Sequence, residues 1–279
     1  MTSISVPTRP VGLLLREWRE RRRLSQLELS SRAEISTRHL SFVETGRSRP
    51  TPEMILKLTD HLDVPLRERN QLLLAGGYAP AYPQHGLDAP ELASVREALR
   101  LVLTGHEPYP ALVINRWWEL VDANAAVALI VEGCAPHLLE PPVNVLRLSL
   151  HPDGMAPRIV NLGQWRAHLL EQLHRRVEAT GDQRLSDLEA ELRSYPTLPN
   201  CRALPDDPAG DSCASPASPL RYDGVVLPLR LRHPDGELSF FSITAAVGTA
   251  ADVTVEELMI ESFYPADAPT GERLRAAGS

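Results

Sequence analysis

Helix-start signals at Ser25, Ser36 and Thr51-Pro52 cut residues 11–75 into short segments, and that spacing constrains the fold more than any other feature of the chain. Ser25-Gln26-Leu27-Glu28 has the form of a capping box. In such a box the serine oxygen accepts a backbone N–H of the first turn while the glutamate reaches back to the cap. Proline after Thr51 suits the first helical position, where its missing N–H is not needed. Between these signals apolar residues recur at helical spacing, which predicts five helices. The first buries Leu13, Leu14 and Trp18, with Arg19, Arg21, Arg22 and Arg23 crowding its exposed end. The second runs from Ser25 to about Ala33, and after the turn Glu34-Ile35 a third opens at Ser36. The fourth lies between Thr51-Pro52 and Val64-Pro65, and the fifth spans Leu66–Ala75.

Two short helices joined by a tight turn and backed by a third form a helix-turn-helix, which sets the start of its second helix in the DNA major groove. The chain carries 29 Lys+Arg against 36 Asp+Glu, yet residues 1–70 hold 13 basic and 9 acidic residues. An acidic whole with a basic head does not exclude nucleic acid.

Across residues 9–77 the sequence resembles the XRE-type DNA-binding domain of Cro and phage repressors, which implies a lambda-repressor-like all-α head. Leu24, Leu29, Ile35, Leu40, Val43, Ile55, Leu58 and Leu62 fall at its core positions. Gln26 stands where a family glutamine touches backbone or bases. Ser36, Thr37, Arg38 and Ser41 lie on the recognition helix, and an arginine there can pair with guanine through two hydrogen bonds. Arg47 and Arg49 in the following loop are placed for phosphates. The turn position usually held by glycine is Glu34, and a left-handed conformation there costs about 1 kcal/mol.

Downstream, glycine, proline and tyrosine at 76–90 predict a linker, giving a head over 1–77, a linker over 78–90, a second domain over 91–266 and a disordered tail over 267–279. Within the second domain a helix over 91–103 leads to a hairpin, Ala111–Ile114 and 117–121, and then to another helix. Residues 143–150 read as a strand, 162–192 as helix, 199–219 as a mobile proline-rich loop, and 224–232 and 237–247 as strands. Residues 255–264 read as a helix or a strand.

No phosphate loop, nucleophile elbow or metal-ligand spacing is present, so neither a catalytic residue nor a metal is expected. The repeated His-Pro-Asp-Gly at 151–154 and 233–236 is what a tight turn requires. Three cysteines, Cys134, Cys201 and Cys213, are too few for a disulfide framework, and no apolar run approaches the roughly 20 residues of a membrane span. A cytoplasmic protein without membrane contact is expected.

Four segments, beginning at Glu107-Pro-Tyr-Pro, Leu139-Glu-Pro-Pro, His151-Pro-Asp-Gly and Gly236-Glu-Leu-Ser, together resemble the MmyB-like transcriptional regulators over about residues 9–266. A single lysine, Lys57, among 29 basic residues fits a GC-rich, actinobacterial source. The resemblance implies an α+β chain. Its head is joined to a PAS-like sensor, an antiparallel sheet with helices enclosing a cavity for a fatty-acid-like or other small hydrophobic ligand. Leu112, Ile114, Trp118, Leu146, Trp165, Leu169, Phe240 and Ile243 would line it, though each also fits plain core. Arg147, Arg158, Asn161 and His168 would meet a ligand carboxylate, or pair internally with Glu140 or Glu171. The expected protein is a homodimer on an inverted-repeat operator, with residues 76–90 as the only covalent path between head and sensor. A DNA-tethered enzyme and a second domain that binds a protein partner are the alternatives.

Overall fold

The computed structural model describes residues 9–196 and 226–277; the expected loop at 199–219, with Cys201 and Cys213, lies outside them. In chain order the elements are α1 (Val11–Arg21), α2 (Gln26–Arg32), α3 (Thr37–Glu44), α4 (Pro52–His61), α5 (Leu66–Ala75), α6 (Ala93–Gly105), β1 (Ala111–Ile114) and β2 (Leu120–Ala123). There follow α7 (Val127–Val131), α8 (Val145–Leu150), α9 (Leu162–Thr180), α10 (Gln183–Ser194), β3 (Leu229–His233), β4 (Gly236–Ala246), α11 (Val253–Glu256), β5 (Met259–Pro265) and α12 (Ala268–Ala277). They form two compact units. The head holds residues up to Ala89 together with Gly248–Glu256, and the second unit holds Pro90–Val247 and Glu257 onward.

The head starts its helices where the caps require. Glu28 N donates to Ser25 Oγ at 3.1 Å and Ser25 N to Glu28 at 2.7 Å, closing the capping box. Ser36 and Thr51 cap α3 and α4 through the N–H groups of His39 and Met54. Glu34 adopts φ 51°, the left-handed turn that this position demands. Leu15, Leu29, Leu40, Ile55, Leu58, Leu62, Leu72 and Leu73 are fully buried between the five helices. Gly12 lets α1 lie against α3, since a Cβ there would sit 2.0 Å from Val43 O.

The arginines of α1 do not form a solvated end. Arg19 is buried against Glu44, and Arg22 donates to the carbonyls of Leu62 and Asp63. An arginine fork satisfies carbonyls that a helix end leaves open, and this outweighs solvation. The 78–90 stretch is likewise anchored: Asn70 accepts from Ala81 N and Tyr82 N and donates to Tyr82 O.

The second unit is a five-stranded antiparallel sheet of order β2-β1-β5-β4-β3, with the helices completing its core. Residues 143–150 are not a strand. Asn144 accepts from Leu146 N and Arg147 N and starts α8, while its amide donates to Trp117 O. A local side-chain cap thus overrides an apolar run that fits either element. The described tail is not disordered either. Helix α12 buries Leu274, and Thr270 and Arg273 hydrogen-bond the backbone of β4 at Ser239 N and Glu237 O.

Candidate functional site

The DNA-facing candidates stand on a buried ion pair. Arg19 donates to both oxygens of Glu44 at 2.7 and 2.9 Å, and Gln26 donates to Glu44 at 2.7 Å, so Gln26 is positioned from below by a group on α3. Thr37 Oγ1 lies 2.8 Å from Ser30 Oγ and ties α3 to α2, while the Ser36 side chain is spent on its cap. Ser41 is half-buried at mid-helix. Arg38 and Arg47 are exposed, flank the Phe42 ring at 5.3 and 5.9 Å, and have no ion-pair partner among the described residues. Arg49 differs from them. Its guanidinium donates to Gly76 O and lies 5.1 Å over the Tyr78 ring, closing the end of α5. A glycine with φ 79° follows at Gly77, and there a Cβ would meet Arg49 Nη2 at 2.7 Å.

In the second unit an apolar cavity of about 190 Å³ opens between the inner sheet face and the helices. Of the eight apolar candidates, Leu112, Trp118, Leu146, Trp165 and Leu169 line it. Ile114 and Phe240 are buried in the core but not on its wall. Ile243 is 52% exposed: it pairs with Ser262 on the outer sheet face, whereas Phe240 and Ser242 take the inner one. Strand side chains alternate, so an apolar residue one position out of phase faces away.

None of the four polar candidates lines the cavity. Arg147 is in a bidentate pair with Glu191 at 2.7 Å, not with Glu140 or Glu171. Arg158 donates to the carbonyls of Ile130, Glu132 and Leu129. Asn161 bridges Pro228 O and Arg230 N at the entry to β3. His168 accepts from Gln172 and lies beside the Trp165 ring; burial and Arg175 hold its pKa below the ordinary value.

The cavity's polar groups are others. Ser149 Oγ accepts from Trp165 Nε1 at 3.0 Å. Trp118, in the β1–β2 turn at φ 64°, is 8% exposed; its indole N–H has no hydrogen-bond partner among the described residues and is itself shut off from the cavity, so only its ring lines the wall. Glu261 on β5 also lines the cavity; burial raises its pKa, against a hydrogen bond from Ser242 that lowers it. Sequence reading missed Glu261, although it sits between Met259 and Phe263 in a period-two pattern that turns all three to one face once 259–265 is taken as strand.

The two His-Pro-Asp-Gly segments share one turn, in which Asp153 N donates to His151 Nδ1 at 3.0 Å and Asp235 N to His233 Nδ1 at 3.3 Å. His137, His151 and Asp153 lie within metal-ligand reach of one another, but the first of these turns already occupies that imidazole lone pair. No described helix is long and apolar enough to cross a membrane.

Residues 10–72 match a helix-turn-helix domain family, so the caps and turn of α2 and α3 belong to a DNA-binding head. With a ligand-binding unit behind it, the chain is a transcription regulator of the helix-turn-helix class. Residues 95–277 match the MmyB-like transcription regulator ligand binding domain, and the chain belongs to that family. An uncharacterized HTH-type transcriptional regulator of Bacillus subtilis strain 168, RghRB, is 34% identical over 114 residues, which is 40% of this chain and 80% of that protein. A solved RNA-binding light-oxygen-voltage receptor aligns with 95% of this chain at 13% identity; this chain spans 61% of that one, and the TM-score of 0.25 supports no conclusion.

Proposed function

We propose that the cavity binds a small apolar effector and that its occupancy changes the affinity of the head for an inverted-repeat operator read by a homodimer. The observation that carries this reading is a 190 Å³ cavity walled almost wholly by apolar side chains in the ligand-binding unit. A dry cavity of about 150 Å³ holds benzene, so the fitting ligand is a short acyl chain or a single ring rather than a long-chain acid.

An effector shifts operator affinity only through a different affinity for the DNA-competent and DNA-incompetent arrangements. The chain offers it more than one covalent path. It passes between the two units after Ala89, after Val247 and after Glu256, because the β4–β5 connection belongs to the head. That connection is fastened there: Val253 N donates to Pro83 O, Thr254 Oγ1 to His85 O, and Leu66 N to Glu256. Strands β4 and β5 lead directly out of it, and Glu261 and Phe263 of β5 are on the cavity wall. Movement of β5 on ligand entry therefore pulls on a segment held by α5.

Native mass spectrometry of gently purified protein tests the reading. Expected are a dimer and a retained small molecule lost on mild activation. A monomer that stays single on a full inverted repeat, or a copurifying polypeptide in place of a small molecule, contradicts it.

A further inference from the structure

Among the described residues Glu261 is the one ionisable group on the cavity wall: apart from it and Ser149 every lining residue is apolar or aromatic, and no Lys, Arg or His is present. Register fixes where its carboxyl stands. Glu261 lies directly opposite Leu112 of β1, a wall residue, and directly opposite Thr244 of β4, which is exposed, and opposed residues of a sheet share a face. On the inner face the carboxyl thus stands between the apolar wall and the exposed end of β4. Ser242 has a single hydroxyl proton and satisfies one carboxyl oxygen. The other oxygen has no partner among the described residues and is not sealed off, so it opens into the cavity that Glu261 lines. Ser149 Oγ accepts from Trp165 Nε1 but keeps its own proton and a lone pair, so it serves donors and acceptors of any charge.

We propose, building on the effector function above, that the cavity takes a small amine in its ammonium form, with the Glu261 carboxylate as counterion and the hydrocarbon part packed along the apolar wall. A buried charge is tolerated where it is paired and hydrogen-bonded. Without a ligand the carboxyl has no countercharge, and burial holds it toward the neutral acid. An ammonium supplies that countercharge together with N–H donors for the open oxygen, in a charge-assisted bond roughly twice as strong as a neutral one. A neutral alcohol makes only the ordinary hydrogen bond. A carboxylate ligand finds no cation on the wall and meets a second carboxyl, and two such groups side by side cannot both ionise without strong penalty. Sorting by charge thus falls to Glu261, while the apolar wall sets the size of what enters.

The test uses full-length protein and three probes built on one ring, benzylamine, benzyl alcohol and benzoate, titrated calorimetrically near neutral pH, where the amine is protonated. Benzylamine should bind at least about tenfold more tightly than benzyl alcohol, and benzoate more weakly than either. Glu261→Gln keeps the size of the side chain and removes its charge. It should weaken benzylamine by at least about tenfold and leave benzyl alcohol within about twofold. Should Glu261→Gln fail to fold, the order of the three probes on the wild-type chain decides alone. Benzyl alcohol or benzoate binding as tightly as benzylamine, or benzylamine binding that Glu261→Gln leaves unchanged, overturns the charge selection and leaves the effector cavity standing. Absence of binding by all three probes overturns both.

Discussion

Asp252 accepts from the ring Nδ1–H of His85 at 2.8 Å and from the His85 backbone N–H at 3.1 Å, closing a loop of 167 residues. The same carboxylate receives Thr254 N and Val255 N and so starts α11. Burial opposes its ionisation, but the His85 ring and the three backbone N–H groups outweigh burial and hold its pKa below the ordinary value. A depressed acid stabilises the folded state above its unfolded pKa and loses that contribution as pH falls through the folded one. The tie is therefore complete at neutral pH and fails only below the ordinary Asp value of 3.8. Asp252→Ala should cost about 1 to 3 kcal/mol of head stability, read by denaturant unfolding near pH 7.

Readout of DNA should divide among three arginines that look alike in sequence. Arg38→Ala should relax base preference at one position and cost about 1 to 3 kcal/mol on the preferred operator. Arg47→Ala should weaken all sequences alike and lower the salt slope by about one. Arg49→Ala should lower the melting temperature of the protein more than its affinity for DNA, because its guanidinium is engaged by Gly76 O and Tyr78. Footprinting, titration at two salt concentrations and a melt of each variant separate the three.

Glu261→Gln should make stability less dependent on pH. The Glu261 pKa is raised by burial, so its native form is favoured below the ordinary carboxylate value of 4.5 and penalised as pH rises above it. The variant should match wild type near pH 4 to 5 and exceed it near pH 8. One proton limits the growth of this difference to about 1.4 kcal/mol per pH unit. Urea unfolding across that range measures it.

Gly12→Ala should destabilise the head although alanine favours a helix over glycine by about 1 kcal/mol. The new Cβ would lie 2.0 Å from Val43 O, a backbone atom that cannot swing aside. The overpacking cost of about 1 to 3 kcal/mol or more wins, and the melting temperature should fall.

Local chemistry made the head legible. Ser25, Ser36 and Thr51 start their helices with the side-chain bonds that their spacing implies, and all eight expected core residues lie in the head's apolar cluster. The second unit was legible where long apolar segments had one consistent period, as in α9 and β4. It was misread at 143–150, where the Asn144 cap decides, and at 267–277, where burial on a distant strand orders a polar helix. The polar ligand candidates failed for a different reason. Arg147, Arg158 and Asn161 find partners far away in sequence, at Glu191, Ile130 and Pro228, which no local pattern shows. Glu261 was hidden because 255–264 fitted two periods. The tie of Asp252 to His85 had no sequence signal at all.

Operator affinity of the full-length protein, measured with and without saturating benzene as the apolar probe and beside benzene affinity with and without operator, tests the central claim most directly. The account predicts the same factor in both directions, about tenfold for 1.4 kcal/mol of coupling, and its loss in Asp252→Ala while the probe still binds. A bound effector that leaves operator affinity unchanged, with the reciprocal also unchanged, would contradict it.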